Sequence, residues 1–143
     1  IEQIFNLTNL ALCSESIGVS QSILDKTLEY LTNRDAFGKK IGTFQSIQHK
    51  CAEIYICINE VRELIRNASK NINNKEFSRL VSMSKIKSDL ELGKISWISH
   101  QLHGAIGFTW DYGLHLYTKK ILINKSLGGD LSFHSTRLYP DGN

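Results

Sequence analysis

The sequence predicts an all-α protein, an antiparallel up-and-down bundle of four main helices in one domain that spans residues 1–143. Three observations support this fold class. Hydrophobic residues recur in alternating steps of three and four over long stretches, which is the spacing of one face of an α-helix. The only proline is Pro140, close to the end of the chain, so no earlier helix is interrupted by proline. The length of 143 residues suits one domain with a core of its own.

The first predicted helix carries a periodic run at the beginning of the chain. Its middle is small, at Ala11, Ser14 and Gly18, so we expect another helix or a ligand to approach closely there. Helix-on-helix packing is the simpler interpretation. The stretch 33–42 then breaks the pattern with glycines and charges, and is predicted to be a loop. The run consists of Ile4, Leu7, Ala11, Ser14, Gly18, Gln21, Leu24, Leu28 and Leu31.

The second helix has the most regular pattern, and Thr43 just before it is the expected N-cap. The third helix, predicted from Lys75 to Leu102, carries two apolar stripes, which indicates neighbours on two sides. The apolar face of the second helix consists of Phe44, Ile47, Cys51, Ile54, Ile58, Val61, Ile65, Ala68 and Ile72. The stripes of the third helix consist of Phe77, Val81, Ser84, Ser88, Ile95, Ile98 and Leu102, and of Met83, Ile86, Leu90, Gly93 and Trp97.

Glycines punctuate the last part of the chain. A turn is predicted at 104–107, where two glycines flank Ala-Ile. Thr109 is then the expected N-cap of the fourth helix. The pair Gly128-Gly129 ends that helix, and a short terminal helix is predicted over 130–138.

Composition excludes several classes of protein. The net charge of +3 comes from scattered lysines, which does not predict a nucleic-acid interface. Cys13, Cys51 and Cys57 fit neither a disulfide framework nor a zinc site, so we expect free thiols in a reducing compartment: the cytoplasm, or the mitochondrial matrix in a eukaryote. No apolar run approaches the ~20 residues of a membrane span. The start shows no signal-peptide pattern, and the absence of an initiator Met indicates a fragment or a processed product.

Histidines near the end of the third helix suggest a metal site as a rival interpretation. His100 and His103 lie three residues apart, and Asp111 and His115 follow. Helical bundles build metal sites from such side chains, but usually from Glu-x-x-His pairs on two helices, which this sequence lacks. We therefore expect no metal.

Three stretches of the sequence share order and spacing with the pattern of a known family. Residues 34–45 (RDAFGKKIGTFQ) match R-x-x-F-G-x-x-I-x-x-F-Q, and residues 101–109 (QLHGAIGFT) match Q-x-x-G-G-x-G-F with Ala105 at the second glycine. Residues 126–129 (SLGG) supply the glycines after the next helix. With these motifs the chain resembles the C-terminal helical domain of the acyl-CoA dehydrogenases, over essentially its whole length.

The resemblance implies a cofactor, a reaction and partners. FAD would lie between a middle β-domain and this bundle, with its adenosine diphosphate end reaching the bundle of a neighbouring subunit in a homo- or hetero-oligomer of related chains. The reaction would be α,β-desaturation of an acyl-CoA substrate, with electrons passed to an electron-transfer flavoprotein. The residues that match the family's cofactor-binding positions are Arg34, Phe37, Gln45, Gln101, Gly104 and Ala105, and Gly129 matches a substrate-binding position. A forked guanidinium such as that of Arg34 suits a pyrophosphate.

The resemblance does not supply the catalytic base. One branch of the family has Glu just before the second glycine, where this chain has Gly128, and another has Glu in the first helix, where it has Thr8. Glu15, two helical turns beyond Thr8, is the remaining candidate for a general base. Glu91 is better explained by structural pairing, and Asp130 is misplaced by two residues. The alternative is a non-catalytic partner subunit or a standalone assembly module.

Overall fold

Five helices account for most of the chain in the computed structural model, which describes residues 1–139. They are α1 (Glu2–Asn33), α2 (Gln45–Lys70), α3 (Phe77–His103), α4 (Leu114–Ser126) and α5 (Leu131–Leu138). The predicted all-α bundle of four main helices is confirmed, as is the short terminal helix. None of the described helices is both long and apolar enough to cross a membrane. Residues 140–143 of the predicted domain lie outside the described range.

Helices α1 and α3 form the most extensive contact of the bundle. α2 packs on both of them, α4 also contacts both, and α5 lies against α3. Both central helices bury small hydroxyl side chains, which take little space between two helices: Ser16, Ser20 and Thr27 on α1, and Ser84, Ser88, Ser96 and Ser99 on α3. The hydrophobic core consists of Leu10, Cys13, Ile17, Ile23, Leu24, Ile54, Ile58, Val61, Ile65, Ala68, Phe77, Val81, Leu92, Ile95, Leu114 and Ile121.

The predicted packed face of α1 is wrong over its first half. Ala11, Ser14 and Gly18 are exposed, so no helix of the described chain packs on them. The buried face is instead built around the polar and small residues Asn6, Asn9, Cys13, Ser16 and Ser20. Hydropathy favoured the wrong face because the side chains turned inward are the more polar ones. Leu24 and Leu31 are buried as predicted.

The other long helices agree better with their patterns. On α2, the apolar residues from Ile54 to Ala68 are buried, which confirms the predicted face. On α3, most of the first stripe is buried. The second stripe is partly uncovered, since Leu90 is 43% and Trp97 59% exposed. The two-sided packing predicted for α3 is therefore incomplete within this chain.

The predicted loop after α1 is a small hairpin followed by a turn. β1 (Asp35–Ala36) pairs antiparallel with β2 (Lys39–Lys40), and a 3-10 turn at Ile41–Thr43 leads into α2. Thr43 is not the N-cap of α2, which starts after Phe44; its hydroxyl donates to the carbonyl of Lys40 at 2.6 Å.

The predicted cap of α4 is also wrong. The 3-10 turn Gly104–Phe108 follows α3 directly, and α4 begins only after Gly113. The hydroxyl of Thr109 donates back to the carbonyl of Ile106 at 2.7 Å, so it closes that turn instead. In contrast, Asp130 caps α5 by accepting from the backbone N–H of Phe133 at 2.8 Å.

Candidate functional site

The hairpin after α1 presents three of the predicted cofactor residues together. Arg34 is the C-cap of α1, Phe37 is at the hairpin turn, and Gln45 is the first residue of α2; all three are exposed. Phe37 has a left-handed backbone (φ 55°), and its ring is 93% exposed, with an edge contact to Phe44 at 6.2 Å between centroids. A solvated guanidinium and an uncovered aromatic ring are both available to a surface outside this chain.

The turn after α3 presents the other three predicted cofactor residues. Gln101, Gly104 and Ala105 are exposed, and Gly104 adopts a positive φ of 62° that favours glycine. His103 beneath the turn is buried and stacks on Tyr30 of α1 at 4.7 Å between centroids. Because Tyr30 lies one helical turn before Arg34, this stack holds the turn beside the hairpin. We call residues 34–45 and 101–109 together the loop end.

The segment between α4 and α5 forms a tight glycine turn. Gly128 (φ 78°) and Gly129 (φ 98°) are both in the left-handed region. A Cβ at Gly128 would overlap the side-chain amide of Asn9, which is fully buried on α1. A Cβ at Gly129 would lie 2.7 Å from the ring of Phe133. A side chain at either position would therefore have to displace Asn9 or Phe133, on a backbone conformation that favours glycine. We call residues 127–129 the glycine turn.

Side chains from two other helices hold the carbonyls around the glycine turn. The buried Lys85 ammonium donates to the carbonyls of Asn124 at 3.1 Å and Lys125 at 3.3 Å, and to both carboxylate oxygens of Asp89 at 2.8 and 2.7 Å. It thereby caps the C-terminal end of α4 with a positive charge. His134 on α5 contacts the Gly128 carbonyl with Nε2 at 2.9 Å.

Burial raises the pKa of the Asp89 carboxyl, and the hydrogen bond from Lys85 partly opposes this. Lys85 and Asp89 are one i,i+4 pair on α3, and both are buried. Sequence analysis missed Lys85, Asn124 and His134. The available signal was a lysine and an aspartate one turn apart within an otherwise apolar and small face.

Glu15, the predicted base, is held in a polar contact with α4. Its Oε1 accepts from Lys120 at 2.9 Å and its Oε2 from the side-chain amide of Asn124 at 3.0 Å, while the side chain stays 46% exposed. The hydrogen bond from Lys120, followed by that from Asn124, lowers the pKa of the Glu15 carboxyl. A lowered pKa weakens a carboxylate as a base, so proton abstraction would require release from Lys120. The catalytic role of Glu15 stays a prediction.

The other carboxylates and Thr8 have local explanations. Glu91 pairs with Lys87 at 3.5 Å and with Lys94 at 3.2 Å, in line with the pairing predicted for it. The hydroxyl of Thr8 donates to the carbonyl of Ile4 on its own helix.

The histidines have separate contacts. His100 meets the Thr118 hydroxyl at 2.8 Å, His103 meets the carbonyl of Ser99 at 2.7 Å, and His115 stacks on Trp110. Residues 1–139 contain no group of three or more His, Cys, Asp or Glu side chains that could hold a metal ion. The cysteines are free thiols, and burial raises the pKa of Cys13 to about 12.

The fold and these motifs agree with one protein family. Residues 1–137 match the family profile described as acyl-CoA dehydrogenase, C-terminal domain. The chain belongs to the acyl-CoA dehydrogenase family. The predicted resemblance and the predicted all-α fold are thereby confirmed.

Individual acyl-CoA dehydrogenases show the same relationship. Acyl-CoA dehydrogenase IpdE2 of Mycobacterium tuberculosis is 32% identical over 113 residues, covering 78% of this chain and 34% of that protein. The short-chain specific mitochondrial enzyme of Mus musculus is 27% identical over 128 residues, covering 89% of this chain and 31% of the enzyme. The chain thus spans about a third of the length of these relatives.

A solved structure confirms the fold. The ChsE4–ChsE5 complex from Mycobacterium tuberculosis superposes with a TM-score of 0.86 at 22% identity, over 96% of this chain and 38% of the matched chain. Acyl-CoA dehydrogenases are FAD-dependent oxidoreductases. In this acyl-CoA dehydrogenase domain, the structure gathers the six predicted cofactor residues at the loop end. It places Gly129 elsewhere: Asn9, which touches the glycine turn, is separated from the end of α1 by about 36 Å of helix.

Proposed function

We propose that this chain is the FAD-clamping and oligomerisation domain of a flavin-dependent acyl-CoA dehydrogenase that desaturates an acyl-CoA thioester. The observation that carries the proposal is the composition of the loop end. Arg34, Phe37 and Gln45 are exposed there beside the Gly104 turn, and none of them is needed to complete the core. Such a surface supplies one wall of a cofactor site, and the other walls would belong to a middle domain and a neighbouring subunit.

Each exposed group at the loop end suits part of the cofactor. The Arg34 guanidinium would donate two hydrogen bonds to the FAD pyrophosphate, because its fork matches phosphate oxygens. The Phe37 ring would cover an apolar part of the cofactor, and the amides of Gln45 and Gln101 would donate to polar atoms. Gly104 lacks a side chain, so the backbone can approach the adenosine end closely. When bound, FAD supplies the hydride acceptor for the reaction.

The uncovered face of α1 supports a second role, as a wall of the acyl-CoA site. Ala11, Ser14 and Gly18 are small and exposed, and nothing in residues 1–139 lies within 4 Å of a Cβ added at Gly18. Glu15 lies beside this face. In the proposed mechanism its carboxylate leaves Lys120 and takes the proton from Cα of the thioester, while Gly129 contacts the substrate from the glycine turn.

The test of the catalytic role is Glu15→Gln in the full-length, FAD-loaded protein. This change keeps the size of the side chain and removes the basic carboxylate. We expect flavin reduction by acyl-CoA to fall at least about 100-fold, the low end for general-base catalysis, with unchanged FAD content. The matched control is Glu63→Gln, which alters another exposed, ion-paired helix carboxylate on α2 and should leave the rate unchanged. An unaffected rate in Glu15→Gln would remove Glu15 from the reaction.

Uncovered apolar side chains support assembly with related subunits. Trp97 contacts Phe108 edge to face at 6.3 Å between ring centroids, and both residues are more than half exposed. Leu90, which lies on α3 like Trp97, is also exposed. We infer a homo-oligomer or a hetero-oligomer with a related chain, since closed symmetric assemblies are the common way to cover such surfaces. Electron-transfer flavoprotein is the proposed electron acceptor, and the cytoplasm, or the matrix of mitochondria, the proposed compartment. Light scattering that shows only monomers at high concentration would contradict the assembly.

A non-catalytic partner subunit is the second candidate function, and one contact favours it. Asn9 fills the space that a Glu at position 128 would need. The late base of one family branch therefore does not fit this backbone, and the first-helix position holds Thr8. The Glu15→Gln experiment separates the two candidates, because a partner subunit would keep full activity in the assembly after that change.

A further inference from the structure

We propose that His134 is a positioning residue for the substrate, because it fixes the direction in which the Gly129 amide N–H points. The inference rests on the proposed function, which assigns Gly129 to the acyl-CoA. His134 is 1% exposed on α5, and its two ring nitrogens have different partners. Nε2 lies 2.9 Å from the Gly128 carbonyl oxygen, and Nδ1 lies 3.1 Å from the Ser82 hydroxyl on α3.

The partners of His134 define a single tautomer. A carbonyl oxygen can only accept, so Nε2 carries the proton and donates it to Gly128. In the neutral ring Nδ1 then accepts from the Ser82 hydroxyl. Burial lowers the pKa of the His134 imidazole, which keeps this neutral form at physiological pH.

The hydrogen bond to Gly128 controls the amide of the next residue. A peptide unit is planar and trans, so the carbonyl of Gly128 and the N–H of Gly129 point in opposite directions from one rigid plane. Two consecutive glycines have no side chains that could fix this plane, and both occupy the left-handed region. Holding the carbonyl toward His134 therefore aims the Gly129 N–H away from α5. This donor is the group that would reach the substrate.

The helix that carries His134, α5, is itself held in place by side-chain hydrogen bonds. Arg137 on the next turn of α5 donates to Glu2 at 3.0 Å, to Asn6 at 2.9 Å and to the hydroxyl of Ser78. α5 is thereby tied to both α1 and α3. At the other end of the segment, Lys85 holds the last carbonyls of α4. The glycine turn is thus fixed on both sides, and His134 supplies the contact at the turn itself.

The test compares two amide substitutions at His134 in the full-length, FAD-loaded protein. The amide nitrogen of Gln reaches about as far as Nε2 and can still donate to Gly128, whereas that of Asn reaches only the position of Nδ1. For His134→Asn we expect the Kd and KM for acyl-CoA to rise about 2- to 12-fold, the value of one lost hydrogen bond, with kcat and FAD content nearly unchanged. His134→Gln should restore most of the affinity. Thr136→Ala, an exposed change on the same helix, is the control.

A second measurement needs no activity. Trypsin should cleave after Lys125 faster in His134→Asn than in His134→Gln, because the Asn variant loses the hydrogen bond to Gly128 and the turn is loosened. Equal affinities in His134→Asn and wild type, or equal losses in the Asn and Gln variants, would overturn the proposal. If the wild-type protein binds no acyl-CoA, the proposed function fails. The cleavage rates then still decide whether His134 orders the turn, and equal rates would overturn that as well.

Discussion

The glycine turn and the loop end differ in how far this chain encloses them. At the glycine turn and the end of α4 before it, the carbonyls of Asn124, Lys125 and Gly128 each accept a hydrogen bond from a buried side chain of this chain. At the loop end, the side chains of Arg34 and Phe37 are exposed on a hairpin of only two residue pairs. The chain completes one region with its own groups and leaves the side chains of the other exposed.

This difference separates two kinds of experiment. Substitutions around the glycine turn should change the stability of the chain, because they leave buried groups without partners. Substitutions of the exposed loop-end side chains Arg34, Phe37 and Gln45 should leave stability within about 0.5 kcal/mol and act on cofactor retention in the assembled enzyme. A loop-end variant that unfolds the chain, or a glycine-turn variant that does not, would break the contrast.

The largest expected effect is that of Lys85→Met. It leaves the buried Asp89 without its partner and the end of α4 without its cap, and removing one member of a buried pair costs about 3–5 kcal/mol. Urea denaturation of the chain measures this loss. Lys85→Met with Asp89→Leu should recover much of it, because two apolar side chains can replace a buried pair. Arg66→Met, which breaks the exposed pair with Glu63 on α2, should cost only about 0.3–0.5 kcal/mol. A similar small loss for Lys85→Met would contradict the role given to it.

The next effect isolates the contact between Gly128 and Asn9. Gly128 and Gly113 have nearly the same φ, 78° and 77°, but within residues 1–139 an added Cβ would meet other atoms at Gly128 and none within 4 Å at Gly113. Gly113→Ala should therefore cost about 1–2 kcal/mol for backbone strain alone. Gly128→Ala should cost a further 1–3 kcal/mol or so for overlap with Asn9, and Asn9→Ala in that background should recover part of it. Equal losses for the two alanine variants in urea denaturation would show that Asn9 moves aside freely.

The proposed cofactor role of the loop end can be tested by replacing its cation, Arg34. In the full-length protein, Arg34→Ala should weaken FAD retention by roughly 10- to 150-fold, since a charge-assisted contact contributes about 1.5–3 kcal/mol. Arg34→Lys should be intermediate, because it keeps the charge and loses the fork. Lys39→Ala is the matched hairpin control: this lysine lies over the ring of Phe44 at 4.2 Å. Equal FAD affinity in all these proteins would remove Arg34 from the cofactor site.

The same contrast explains what the sequence could predict. Three of the predicted cofactor residues at the loop end, Arg34, Phe37 and Gln45, are exposed and lie within one short stretch of sequence, so their spacing was enough to group them. The periodic face of α2 was also predictable, because its buried residues are aliphatic. The inner face of α1 was not, since residues such as Ser16 and Ser20 are buried there while Leu7 is left uncovered. Hydropathy registers neither helix contacts made by small residues nor apolar side chains that stay exposed.

The glycine turn was the least predictable region for a related reason. Its supports, Lys85, Asn9 and His134, come from three different helices that are far apart in sequence. Each is polar, and a polar residue on a helix is most often solvated. Only the assembled bundle shows that these three side chains are buried around one turn. The family motif located the turn but not the residues that hold it.

The smallest expected effect concerns Glu15, which lies between these two extremes. Hydrogen bonds from Lys120 and Asn124 lower the pKa of its carboxyl in the folded chain, so the folded state binds a proton less readily than the unfolded state. The stabilising contact is therefore complete above the unfolded pKa of about 4.3, and is lost as the pH falls through the lower folded value. In urea denaturation at neutral pH, the free energy of unfolding of the wild type should be slightly higher than that of Glu15→Gln. This gap between the two free energies should close in acid. The gap should be small because the pair is half exposed and screened by solvent. A gap that widened as the pH fell would mean a raised pKa, and would favour Glu15 as the catalytic base over its role as a link between α1 and α4.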